Sequence, residues 1–180
     1  MVDQQPDSVV FEDVSHSYGD RKVLCDVSLV LTERRIGIVG ANGSGKSTFA
    51  RMINGLVLPD RGTVRVCGLD TRRHTRRVRR LAGFVFTDPD RQILMPTVAE
   101  DIELSLSRHR LTTDERRDRV HEVLGRFGLA GHADHPAHLL SGGQKQLLAL
   151  ASVLVTEPRI VVADDAPAAA IDAYERMMLR

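Results

Sequence analysis

Apolar positions come in short alternating runs at the start of the chain. Val9-Val10-Phe11, Val23-Leu24, Val27 and Leu29-Val30-Leu31 are punctuated by Gly19-Asp20, the pattern of strands folded about a turn. It predicts an antiparallel β-layer. Arg35 to Val39 reads as a further strand running into a glycine-rich stretch, after which Phe49, Met52, Ile53 and Leu56 fall at helical spacing. Thr63 to Val66 and Gly83 to Phe86 read as strands, and a run of helices follows. Thr112-Thr113-Asp114-Glu115 is a capping-box start, and Val120, Val123, Leu124 and Phe127 then mark one apolar helix face. After a polar loop carrying His132, His135 and His138, Ser141 is placed to cap a helix reaching about Thr156. Ile160 to Ala163 is then a buried strand ending in Asp164-Asp165. These elements predict an α/β fold: a P-loop nucleotide-binding core, an antiparallel β-layer and a helical insertion. The expected organisation is one domain over residues 1–180, with 8–88 and 145–180 as the core and about 89–144 as the helical subdomain.

Composition narrows this picture mainly by exclusion. With 180 residues, 42% hydrophobic and 27% charged, the chain has the ordinary globular mixture and enough apolar material for a core. The longest apolar stretch, Leu147 to Val155, is interrupted by Ser152 and falls short of the ~20 residues that span a bilayer. A chain that does not cross the membrane is expected. The opening residues Met1 to Asp7 have neither the basic nor the apolar region of a secretory signal, so a cytosolic location is expected. Cys25 and Cys67 form no C-x-x-C pair and are expected to be small core residues. A net charge of +1 argues against a general polyanion binder. One cluster departs from that balance. Arg72, Arg73, Arg76, Arg77, Arg79 and Arg80 have no aromatic neighbour to stack on bases, so they read as a solvated helix face rather than a nucleic-acid site.

Gly40-Ala41-Asn42-Gly43-Ser44-Gly45-Lys46-Ser47 satisfies G-x-x-x-x-G-K-[ST] in its strand-loop-helix context. Glycines allow backbone N–H groups to converge on phosphate oxygens at a helix N-terminus. Lys46 would neutralise β- and γ-phosphate charge, and the Ser47 hydroxyl would ligate Mg²⁺. The chain has three lysines against 22 arginines, so a lysine at this point is not compositional noise. A compact ammonium suits the role better than a guanidinium fork. Leu140-Ser141-Gly142-Gly143-Gln144 opens another helix with a capping serine and two glycines, a second positive helix end able to meet a phosphate.

Together these motifs resemble the ATP-binding subunits of ABC transporters over about residues 8 to 172. Residues 40–48, through Thr48, match Walker A, and 140–144 match the ABC signature. Thr87-Asp88-Pro89-Asp90-Arg91-Gln92, followed by Met95-Pro96-Thr97-Val98, resembles the Q-loop segment of the energy-coupling-factor branch, most closely the ATPase of biotin uptake modules. The resemblance implies that Tyr18 stacks on adenine and that ATP and Mg²⁺ are the cofactors. It implies a second ATP-binding subunit, identical or not, arranged head to tail so that each nucleotide lies between one P-loop and the other signature helix. It further implies transmembrane energy-coupling and substrate-binding subunits, no nucleic acid, and a peripheral position at the inner face of the cell membrane. The implied function is ATP-driven import of a small nutrient, a vitamin such as biotin.

The sequence departs from the family at three places. Thr87 stands where most members carry a metal-contacting glutamine, and either Thr87 or Gln92 is left to serve there. Counting forward from Pro158 makes Asp164 the Mg²⁺-associated aspartate and Asp165 the catalytic carboxylate. Counting back from Asp172, the D-loop aspartate, makes Asp165 the metal residue and leaves Ala166 in the catalytic position. The chain also ends eight residues after Asp172, before the family's next strand and switch histidine, so the resemblance implies a C-terminally truncated ABC ATPase fold. His121, His132, His135 and His138 are expected at the surface. Two alternative functions follow: an ATP-binding but hydrolysis-deficient or regulatory protein, or an ABC-type nucleic-acid-associated ATPase.

Overall fold

The computed structural model describes residues 7–164, so Asp165, Ala166 and Asp172 lie outside the described residues. Two compact units emerge, one formed by residues 7–84 with Arg159–Val162 and the other by Val85–Pro158 with residues 163–164. The first begins with the predicted hairpin, β1 (Val9–Tyr18) and β2 (Arg21–Leu31). They pair antiparallel with Val9 opposite Leu31 and Tyr18 opposite Arg21. On its other edge β1 pairs antiparallel with β3 (Arg61–Val66), which pairs with the two-residue β4 (Leu69–Asp70), giving the order β2-β1-β3-β4. Helix α1 (Lys46–Ile53) packs against this layer. Its Phe49 ring stacks on Phe11 with centroids 4.2 Å apart, and Met52 and Ile53 are buried with Val14, Val64 and Val66. A short helix α2 (Thr75–Leu81), anchored by fully buried Val78, leads into β5 (Ala82–Val85), which pairs with β6 (Ile160–Ala163).

One expected element does not form. Arg35–Val39 forms no regular element and joins no ladder among the described residues, with Ile36 and Ile38 each 44% exposed and Val39 94%. A strand is defined by the backbone it pairs with, and apolar periodicity cannot say whether a partner is present. Ile36 to Val39 instead line an open apolar hollow with Val27, Leu29, Leu31 and Phe49. Cys25 likewise departs from expectation: it is exposed on β2, whereas Cys67 is buried. Burial pushes the Cys67 thiol above its usual range.

The second unit is helical. Helix α3 (Val98–Ser105), α4 (Thr113–Arg126) and α5 (Gly142–Leu154) pack together. Each opens with a complete capping box, at Thr97/Glu100, Thr112/Glu115 and Ser141/Gln144, so the ends are set by local hydrogen bonds as well as by packing. The Thr112 bonds hold the Glu115 carboxyl below its usual range. The predicted α4 face is inside, with Val120, Val123, Leu124 and Phe127 all buried, together with Val98, Ile102 and Leu148. The histidine-bearing loop is pinned to the start of α3 by Ala99 N–H donating to Ala133 O and Ala137 N–H donating to Pro96 O. A buried carboxylate completes the unit. Asp101 is 3% exposed, and it accepts from Leu94 N at 2.7 Å, Met95 N at 3.1 Å and the Ser152 hydroxyl at 2.9 Å.

Candidate functional site

The first unit builds an anion site from a loop and a bare helix end. Gly45 is the N-cap of α1 at φ 95°, in the left-handed region, and no side chain caps the helix. A Cβ there would sit 3.0 Å from both the Val23 carbonyl oxygen and Val23 Cγ1, so conformation and space both require glycine. The first-turn N–H groups of an uncapped helix have no acceptor within the helix and carry its positive end. Lys46 adds a full charge at the same place. Its ammonium donates to Gly40 O at 2.8 Å and Ala41 O at 3.0 Å, drawing the loop into a ring around its own cation. Ser44 N donates to Ala41 O and Phe49 N to Gly45 O, closing the turn and the first helical turn. Gly40, Ala41, Asn42, Gly43 and Ser44 are exposed, Lys46 and Ser47 are half-buried, and Thr48 is buried in the helix.

The hairpin end supports the loop from the side. Arg21 donates through Nη2 to Gly43 O at 3.2 Å, and its register partner is Tyr18, which is 52% exposed and edge-on to His16. An aromatic ring is thereby presented on the strand pair that holds the loop. Arg21 was missed by motif reasoning; the available signal was its position just past the Gly19-Asp20 turn, directly across from Tyr18.

In the second unit Leu140 is buried while Ser141, Gly142 and Gly143 are exposed. Ser141 Oγ accepts from Gln144 N, and Gln144 Oε1 accepts from Ser141 N at 2.9 Å. Gln144 Nε2 lies 3.2 Å from His132 Nε2, so His132 is a half-buried partner of the helix start rather than the expected surface residue; His121, His135 and His138 are exposed as expected. A Cβ at Gly142 or Gly143 would meet nothing within 4 Å. Internal packing therefore gives no reason for glycine at either position, and the space before the helix end is open to an incoming group.

Asp164 directly follows β6 and is buried. Its N–H donates to Val85 O and its carbonyl accepts the Thr87 hydroxyl at 2.8 Å, so Thr87 braces the backbone at this carboxylate. Gln92 is spent on structure: Oε1 accepts from Phe86 N at 3.1 Å, and Nε2 donates to Ala149 O at 2.7 Å. Lys145 reaches Asp90 at 2.7 Å, a second tie between this segment and α5. Taken separately, the hydroxyl of Ser47 in the first unit and the carboxylate of Asp164 in the second are oxygen donors of the kind hard divalent cations such as Mg²⁺ take.

Comparison with known proteins agrees with this chemistry. The ABC transporter family model matches residues 24–168. A Deinococcus radiodurans protein named as an ABC transporter ATP-binding protein is 53% identical over 163 residues, covering 91% of this chain and 72% of that protein. The biotin transport ATP-binding protein BioM of Rhizobium etli is 44% identical over 172 residues, 96% of this chain and 76% of BioM. Among solved structures, CbiO1 of Clostridium perfringens, part of an ABC transporter complex, aligns with a TM-score of 0.78 at 31% identity over 95% of this chain and 71% of that one. Members of this family are ATP hydrolases that use ATP with Mg²⁺. With the family model matched over residues 24–168 and relatives of this identity and coverage, the chain belongs to the ABC transporter ATP-binding family.

Proposed function

We propose that this chain is the ATP-binding subunit of a nutrient importer of the energy-coupling type, with biotin as the leading substrate. The observation that carries the reading is the uncapped N-terminus of α1, enclosed by a glycine loop whose carbonyls hold the Lys46 ammonium. In this reading Gly40 to Thr48 bind the phosphates of ATP, and Tyr18 stacks on adenine. Ser47 and Asp164 hold Mg²⁺, which when bound neutralises charge on the β- and γ-phosphate oxygens. Thr87 keeps Asp164 in place. Leu140 to Gln144 of a second ATP-binding subunit close over the γ-phosphate, with Asp172 at the same junction. The likeness to BioM supports biotin as the cargo. A membrane-embedded partner would place the subunit at the inner membrane face.

The same residues favour slow turnover. Transfer to water needs a group that orients the nucleophile in line with the γ-phosphoryl group. Asp165 is one methylene shorter than glutamate, Ala166 has no carboxylate, and the Gln92 amide is engaged at both ends. Lys46, the loop N–H groups and the signature turn supply binding, so ATP is held longer than it is cleaved. Titration of the full chain with MgATP tests the reading: wild type binds in the micromolar to millimolar range, and Lys46→Ala loses about 100-fold, the scale of one lost charge-assisted contact. Wild-type affinity in the variant removes the proposal. Turnover in the same samples well below the ordinary enzymatic ~10 s⁻¹, raised by Asp165→Glu or by Ala166→Glu, identifies the catalytic position.

A further inference from the structure

The six arginines between Asp70 and Asp88, an interval with no acidic residue, divide into two sets with different work. Arg72 and Arg79 are exposed but tied to backbone: Arg72 donates to Pro59 O, and Arg79 donates to Asn54 O at 3.3 Å and Gly55 O at 3.0 Å. They tie α2 to the backbone that leaves the C-terminal end of α1. Arg73, Arg76, Arg77 and Arg80 do nothing comparable. All four are exposed, and none has an acidic or carbonyl partner among the described residues. Their spacing is i, i+3, i+4, i+7, so Arg76, Arg77 and Arg80 share one side of α2, with Arg73 in the turn that enters it. Fully buried Val78 marks the opposite side. The stripe runs about 10 Å. The nearest acid on the chain, Asp70, uses Oδ1 to accept the Arg72 and Arg73 backbone N–H groups. Arg73, His74, Arg76 and Arg77 also line an open hollow beside the stripe.

We infer that this stripe is a docking surface for the anionic phosphate headgroups of a lipid bilayer. Three cations on α2 and a fourth in the turn that enters it, with no compensating carboxylate, form a positive patch on a chain whose net charge is only +1. Attraction is therefore local to this face rather than a property of the whole molecule. Arginine matches phosphate through its planar fork. No exposed apolar or aromatic side chain interrupts the stripe, so contact is made at headgroup depth without insertion, and nothing is present to stack on bases as single-stranded nucleic acid binding needs. The stripe orients the first unit's α2 face toward the membrane. It owes nothing to the phosphate loop, so it stands whether or not the chain binds ATP.

The test is sedimentation of the full chain with phosphatidylcholine vesicles, with and without phosphatidylglycerol. Each basic group at an anionic surface strengthens binding roughly fivefold. The fourfold variant Arg73→Gln/Arg76→Gln/Arg77→Gln/Arg80→Gln therefore loses roughly 600-fold on the anionic vesicles, and the fourfold lysine variant retains most of the binding. Raised salt weakens binding in wild type, and Lys46→Ala binds vesicles as wild type does. Should the glutamine variant fail to fold, Arg76→Gln and Arg77→Gln singly each lose several-fold. Equal binding to both vesicle types, or unchanged binding by these variants, overturns the inference. So does a complex with duplex DNA or RNA at physiological salt that is tighter than the non-specific range of about 10⁻⁴–10⁻⁶ M and outcompetes the vesicles.

Discussion

The starts of α1 and α5 are both glycine-flanked helix ends, and they solve the same electrostatic problem in opposite ways. At α1 the N-cap is a left-handed glycine that offers no capping side chain, and the loop is held by its carbonyls gripping Lys46 and by Arg21 at Gly43. At α5 the Ser141/Gln144 box satisfies two groups locally, and His132 supports Gln144 from behind. The first end is held from outside the helix by its loop and by Arg21. The second is a self-sufficient helix start whose glycines face open space. Positive helix ends thus need not be equivalent. In the proposed function, the first binds phosphate within its own subunit, whereas the second keeps its shape until it is brought to a nucleotide on the other subunit.

This contrast can be broken most severely at Gly45. Gly45→Val forces a β-branched residue to φ 95° and drives its side chain onto Val23. Strain and overpacking together are expected to cost about 4 kcal/mol and to abolish MgATP binding, read by thermal unfolding and nucleotide titration. A variant with wild-type melting and affinity would show that the left-handed cap is dispensable. Next in size is Asp101→Ala, which strands the Leu94 and Met95 N–H groups and the Ser152 hydroxyl. A loss of about 3 kcal/mol is expected in urea unfolding, with affinity at the phosphate loop unchanged because Asp101 lies in the helical unit. Loss of nucleotide binding without loss of stability would contradict that separation. Smallest is Ser141→Ala, which removes one half of the box and costs about 1 kcal/mol. Hydrogen exchange should quicken at the first-turn amides of α5 and nowhere in α1; equal protection in both proteins would mean that the cap is not what holds this end.

The arginine-rich segment adds a comparison within one short helix. Arg79 and Arg76 are three residues apart, yet one closes carbonyls at the end of α1 and the other faces solvent. Composition supplies only the shared charge. The division between anchoring and docking arginines follows from which side of the helix Val78 buries.

Much was legible from the chain alone because it is encoded locally. The capping box at Thr112, the capping serine at Ser141, the hairpin about Gly19-Asp20, the apolar face of α4 and the phosphate-loop motif all depend on residues within a few positions of one another, and local chemistry suffices to specify them. What the tertiary structure decided was partnership. Apolar alternation at Ile36, Ile38 and Val39 promised a strand, but pairing depends on backbone distant in sequence, and no strand among the described residues pairs with it. Gln92 read as a spare amide for metal contact until Phe86 and Ala149 used both of its ends. The Thr87 hydroxyl was assigned by resemblance to metal and is found bracing Asp164, 77 positions away. Arg21 belonged to no motif, and only the fold of the hairpin carries it to Gly43. A side chain's chemistry is a property of its residue type, whereas the atom that consumes that chemistry is chosen by the folding of remote segments, and sequence spacing does not encode that choice.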